Sequence, residues 1–267
     1  MLLRIASALV LIPLVLAGVL FARPPYFVAA LALVGILSLR EYFELAVKMG
    51  LGAQPWFGYA AFVLVLAGLY HRPLPPLLVL AILLLAACLA AMWRPAPMRE
   101  RVSGMMATLF GVLYLALCLF PAQRIRFDFG ERLGAAWLVV LLVAIWVGDT
   151  AALAAGRTFG RTLFAPQLSP KKTNEGAVAG LAGSVLGAVS VQHFAYPELP
   201  IVHVALASLL AGMAGQLGDL AESMLKRAAE TKDSSSLIPG HGGVLDRIDS
   251  LLFAIPALYL YLVHLYG

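Results

Sequence analysis

Apolar residues in this chain come in long blocks rather than in the alternation of half-buried strands. Nine blocks of about 16 to 23 residues stand out, near 5–22, 26–47, 56–71, 76–93, 104–121, 133–155, 176–195, 201–222 and 250–266. A helix needs about 20 mostly apolar residues to cross a bilayer, so each block predicts a spanning helix. The short alternating segments of a membrane β-barrel are missing from the pattern. Proline marks several breaks, in "RPP" at 23, "HRPLPP" at 71 and "RPAP" at 94, where its missing N–H and its effect on the preceding residue favour a helix end. The first block has one Arg before it, as a signal peptide would. It is long, lacks a small-x-small cleavage site and heads a series of similar blocks, so a retained first helix is expected.

The predicted fold class is therefore an all-α polytopic integral membrane protein of about nine transmembrane helices. It is expected as one transmembrane domain over 1–267, with N-terminal helices over about 1–121 and a catalytic portion over about 133–267. Two connections are long and polar, 156–175 and 223–249. With nine spans the even-numbered connections share a side with the N-terminus. That side holds Arg4, Arg40, Lys48, Arg94, Arg99, Arg101, Arg157, Arg161, Lys171, Lys172, Lys226, Arg227, Lys232 and Arg247, fourteen basic residues. The other holds five: Arg23, Arg72, Arg124, Arg126 and Arg132. The positive-inside rule makes the fourteen-residue side cytoplasmic and the cytoplasmic (inner) membrane the expected location.

Composition sharpens this picture. Of 267 residues 62% are hydrophobic and 12% charged, where a soluble domain carries about 25% charged residues. The net charge of +5 bears on topology and anionic lipid before nucleic acid, and no nucleic-acid partner is expected. Cys88 and Cys118 lie inside apolar blocks and read as small packing residues. Gly176, Gly180, Gly183 and Gly187 follow one another at 4-3-4 spacing, which makes a helix face nearly free of side chains. That face suits packing inside the chain or a homodimer interface, and both readings stand.

Chemistry concentrates near the C-terminus. In "GQLGDLAESMLKR" Asp219, Glu222, Ser223 and Lys226 are spaced to share one helix face. A carboxylate facing lipid at mid-bilayer costs about 2.5–3.5 kcal/mol. Asp219 should therefore face protein or water, with Lys226 paired to Glu222 or Asp219 at a helix end, or with Asp219 serving a site. "KDSSSLIPGHGG" is glycine-rich around His241, with Pro239, Gly240, Gly242 and Gly243, and lets backbone approach a ligand. "LDRIDS" then sets Asp246 and Asp249 one turn apart as the last helix begins. First-turn carboxylates serve as caps and dipole partners. Three acids, Asp219, Asp246 and Asp249, also suit a hard cation such as Mg²⁺, which joins one or two carboxylates to water and substrate phosphate. The other polar loop, "GRTFGRTLFAPQLSPKKTNEG", sets Arg157, Arg161, Lys171 and Lys172 beside Ser169, Thr173 and Asn174. These are phosphate partners, whether of a substrate or of lipid headgroups. Asp149 is a further acid within an apolar run.

The segment "SMLKRAAETKDSSSLIPGHGGVLDRID", residues 223–249, resembles the signature of phosphatidate cytidylyltransferases, S-x-φ-K-R-x₄-K-D…P-x-H-G-G-φ-x-D-R-φ-D, at every fixed position. The upstream "GDT…AGRTFGR…SPKKTNEG" is similar to a second family block. It departs at "DTAAL", where relatives have D-T-G-A-Y, and at Asn174, where they have Trp. The resemblance implies that CTP and phosphatidic acid give CDP-diacylglycerol and pyrophosphate with Mg²⁺, the number of cations being open. On it, Asp219, Asp246 and Asp249 are expected to hold the metal, with Lys226 catalytic beside them. Lys226, Arg227, Lys171 and Lys172 would bind phosphates, with Ser169 and Ser223 as hydroxyl partners. His241, Gly242 and Gly243 would turn toward the triphosphate, and Arg247 would orient Asp246 and Asp249. Two other classes remain at this point. One is a transporter with Asp149 and Asp219 on an ion path. The other is a CDP-alcohol phosphotransferase, whose D-G-x₂-A-R motif this chain lacks.

Overall fold

The structure is a computed structural model that describes residues 2–71, 75–238 and 242–267. Among these residues it contains nine helices and one short hairpin. The helices are α1 (Leu2–Phe21), α2 (Pro24–Lys48), α3 (Pro55–His71), α4 (Pro76–Met92), α5 (Met98–Asp128), α6 (Glu131–Phe159), α7 (Asn174–Ala195), α8 (Ile201–Ala228) and α9 (Leu245–Tyr266). All nine apolar blocks are helical. Six of the helices, α2 and α5 to α9, are long and apolar enough to cross a membrane, as the composition requires. The apolar stretches Leu9–Phe21, Pro55–Tyr70 and Pro76–Met92 are shorter. A helix of 17 residues, such as α3 or α4, is about 25 Å long, at the lower edge of bilayer thickness.

Several helices outrun their apolar blocks. The fifth continues through Pro121 to Asp128, and the eighth carries its polar face on to Ala228. Between α6 and α7 lies a two-stranded antiparallel hairpin, β1 (Leu163–Ala165) with β2 (Ser169–Thr173), inside a loop that hydropathy alone marks only as polar.

The chain divides into two compact units, each drawing on both halves of the sequence. The first comprises 1–10, 25–120 and 225–247. Its core gathers Leu39, Tyr42, Phe43 and Leu45 of α2, Phe62 and Val65 of α3, and Val112, Leu115 and Ala116 of α5. The phenol of Tyr42 donates to the Ala107 carbonyl at 2.8 Å, so its polar end is satisfied.

The second unit comprises 11–24, 121–224 and 248–267. Its α6–α7 seam uses the glycine face read from the sequence. A methyl on Gly183 would meet Val147 and Ala151, and one on Gly187 would meet Val147. Gly180 lies against Gly148 and Ala152, and Gly176 against Ala152 and Gly156. The face is thus consumed by packing within the chain. Where α8 crosses α9 in this unit, a Cβ on Gly218 would sit 2.5 Å from the carbonyl oxygen of Asp249. Buried Arg126 donates to the carbonyls of Val19 (2.5 Å), Leu20 (3.2 Å) and Glu131 (2.9 Å), which satisfies the C-terminal end of α1.

Candidate active site

In the second unit the hairpin is fixed to the start of α7. Thr173 caps that helix by accepting from Gly176 N–H at 3.1 Å. Glu175 accepts from Arg161 N–H (3.0 Å), Thr162 N–H (3.3 Å) and the Thr162 hydroxyl (3.0 Å). Asn174, where the resemblance expects Trp, donates to the Thr162 hydroxyl at 3.1 Å and closes the same junction. The hairpin thereby presents Lys172, whose Nζ lies 2.5 Å from Asp219 Oδ2 on α8. Ser223, one turn further along α8, donates to Asp219 Oδ1 at 3.4 Å. Ser169 is half-buried on β2, while Lys171 is exposed. Asp249, one turn into α9, is half-buried and accepts from Ser250 N–H at 2.6 Å. The basic loop and the α8 carboxylate, 47 positions apart, therefore meet in this unit.

The first unit contains the tighter arrangement. Asp246 is 8% exposed. Its Oδ1 accepts from Lys226 Nζ at 2.6 Å. Its Oδ2 accepts from Ser234 N–H (2.9 Å), the Ser234 hydroxyl (2.7 Å) and Gly243 N–H (2.8 Å). A carboxylate with four donors around it is stabilised in its charged form. Asp246 thus ties the end of α8, the "DSSS" segment and the approach to α9 into one knot. Ile238 N–H donates to Gly242 O at 2.8 Å. Gly242 holds φ +80°, a conformation that suits glycine. Gly243 is buried so closely that a Cβ would strike the Ser234 hydroxyl. His241, with Pro239 and Gly240, lies outside the described residues.

The geometry redistributes the roles expected from the sequence. Lys226 pairs with Asp246 and Asp219 with Lys172, whereas helix spacing alone pairs Lys226 with Asp219 or Glu222. Arg247 is exposed, and Asp246 accepts from Lys226, Ser234 and Gly243. Arg227 is exposed and donates to Thr231 O at 3.4 Å. Asp149 is exposed on α6.

A residue the sequence reading passed over is Glu41 of α2. It is 2% exposed and accepts from Ser235, Val244 and Leu245, with the Ser234 hydroxyl also in reach. The available signal was a carboxylate inside an apolar block, which needs a partner wherever it stands.

Of the three acids expected to hold Mg²⁺, Asp219 is engaged by Lys172 and Ser223, and Asp246 by Lys226, Ser234 and Gly243. Asp219 and Asp249 are half-buried carboxylates, oxygen ligands of the kind a hard cation takes. Among the described residues no three His, Cys, Asp or Glu side chains gather as ligands for one ion. A Mg²⁺ bound here would need substrate phosphate and water to complete its shell.

Comparison with known proteins adds independent observations. Residues 2–265 match the pattern of the cytidylyltransferase family. A phosphatidate cytidylyltransferase of Synechocystis sp. is 34% identical, covering 97% of this chain and 96% of its own. Those of Haemophilus influenzae (32% identical, 95% of each chain) and Pseudomonas aeruginosa (35%, 95% of this chain and 93% of its own) align along similar lengths.

Proposed function

This chain belongs to the cytidylyltransferase family, and from that premise we propose that it joins CTP to phosphatidic acid, giving CDP-diacylglycerol and pyrophosphate. The observation that carries the reading is the family match along residues 2–265, with relatives of that activity aligned over nearly their full lengths. It favours this enzyme over the transporter and the CDP-alcohol phosphotransferase.

An oxygen of the lipid phosphate attacks the α-phosphorus of CTP. The new P–O bond forms as the bond to the bridging oxygen breaks, and the electron pair leaves on pyrophosphate. The nucleophile is ionised at neutral pH, so no strong general base is required. What the protein must supply is positioning of two polyanions and compensation of their charge. Lys172 and Lys226 are the cations assigned to phosphate, each held in place by a carboxylate. Lys171 and Arg227 are exposed cations that would add to the field around CTP. Ser169 and Ser223 are the hydroxyl partners. Gly242 and Gly243 stand just before α9, where Gly243 N–H is anchored by Asp246.

Asp219 and Asp249 would hold Mg²⁺, which when bound neutralises phosphate charge and stabilises the leaving pyrophosphate. Asp246 serves by fixing Lys226. The reaction belongs at the cytoplasmic face of the cytoplasmic membrane, where soluble CTP and the lipid can both arrive. The excess of basic residues on that side supports this placement.

The test is purified protein with labelled CTP, phosphatidic acid and Mg²⁺. CDP-lipid should form, stop on chelation and resume when Mg²⁺ is restored. Intact protein that binds both substrates and makes no CDP-lipid would overturn the reading. Asp249→Asn should lower turnover by on the order of 100-fold while the protein still elutes as the wild type does. Near-normal turnover in that variant would remove Asp249 from the metal set.

A further inference from the structure

We propose that Glu41 is a positioning residue for this reaction. Its buried carboxylate ties the Ser234–Ser235 segment to the first turn of α9 and so sets where Asp246 and Lys226 stand. The inference rests on the functional reading above.

Three donors reach Glu41, and the Ser234 hydroxyl, whose single proton it shares with Asp246, lies within reach as a fourth. Oε1 accepts from the Ser235 hydroxyl (2.7 Å) and Val244 N–H (2.9 Å). Oε2 accepts from Leu245 N–H (2.7 Å) and lies 3.0 Å from the Ser234 hydroxyl. Four lone-pair positions are what an ionised carboxylate offers. Two of the donors are the N–H groups at the very start of α9, which no turn of that helix can satisfy. A carboxylate there also interacts well with the positive end of the helix dipole. The partners are about 200 positions away in sequence, so this is a cap supplied by tertiary structure rather than by the local chain. The site is built around it: Leu39, Tyr42 and Leu45 on the same helix are buried. A Cβ on Gly243 would collide with Glu41 Oε2, so backbone packs directly on the carboxylate.

Ser234 makes the connection to the reaction. Its hydroxyl has one proton and lies within reach of both Glu41 Oε2 (3.0 Å) and Asp246 Oδ2 (2.7 Å). Displacing Glu41 therefore moves Ser234 and the α9 turn together, and with them the carboxylate that grips Lys226. A polar pocket of about 560 Å³ opens beside Glu41. Its charged lining is Arg40, Glu41, Glu44, Lys48 and Asp233, three acids against two bases, with Arg40 paired to Glu44 at 3.1 Å. That balance makes a poor seat for phosphate and supports an anchor rather than a ligand contact.

The experiment compares full-length wild type with Glu41→Gln in phosphatidic acid-containing micelles with Mg²⁺. Glutamine keeps the shape but turns an N–H₂ toward N–H and hydroxyl donors. The expected result is a variant that elutes and absorbs as a helical protein like wild type. Its kcat should fall about 10- to 100-fold and its KM for CTP rise at least about threefold, with KM for phosphatidic acid unchanged. Hydrogen exchange at Val244 and Leu245 should quicken. A fall in activity matched by loss of folded protein, with both KM values unchanged, would overturn the inference in favour of a structural role. So would wild-type constants in a folded variant. If Glu41→Gln does not fold, Ser235→Ala removes one of these bonds and leaves the carboxylate. It should show the same direction of change in KM for CTP, and unchanged constants there would overturn the inference. Wild-type protein that makes no CDP-lipid overturns the functional reading and this inference with it, whereas wild-type turnover with unaffected variants overturns this inference alone.

Discussion

The Lys226–Asp246 pair shows how burial decides the importance of single residues. Their side chains are 13% and 5% exposed, so removing one partner leaves a charge in a place where water cannot replace it. Lys226→Met should destabilise the protein by about 3 kcal/mol and lower turnover by on the order of 100-fold. Thermal unfolding in detergent and the CDP-lipid assay check both, and Arg at this position should not restore activity because its planar fork does not replace a compact ammonium. Lys171→Met, on an exposed side chain, should change stability by no more than about 0.5 kcal/mol. The sequence marked Asp246 and Lys226 as candidate site residues; that they hold each other was not legible there. Helix periodicity ranks neighbours along one helix, and this pair joins two. The same limit hid Glu41, whose donors lie in a loop and a helix far along the chain.

At the scale of elements, the α6–α7 seam turns a sequence pattern into a packing rule. Gly183 faces Val147 and Ala151, while Val178 on the same helix is 68% exposed. Gly183→Leu should destabilise by about 1–3 kcal/mol or more, and Val178→Leu should be close to neutral. Unfolding in detergent separates them, and equal stability of the two variants would refute the seam. The glycine spacing could be read from the sequence because a 4-3-4 repeat is a helix property. The hairpin before α7 could not. Its strands are three and five residues long with Pro170 in the second, and a two-stranded sheet is marginal by itself. It is held by Glu175, Thr173 and Asn174 at the helix it precedes, and such support has no periodicity to detect.

For the whole molecule the charge asymmetry predicts orientation. With both native cysteines replaced, single cysteines at Gln167 and Ser236 should react with an impermeant maleimide only after cells are permeabilised. A cysteine at Glu198 should react in intact cells. Labelling of Gln167 and Glu198 from the same side would reject the nine-span topology. What the sequence determined by itself is the class of molecule, the nine helical segments and the family. Hydropathy and block length dictate which segments can enter lipid, and a linear signature survives as a string. Tertiary structure alone decided that Asp246 holds Lys226, that Asp219 holds Lys172, and that Glu41 caps α9. Those outcomes depend on which donors burial leaves without water, and only the folded chain brings such donors and acceptors within 3 Å of one another.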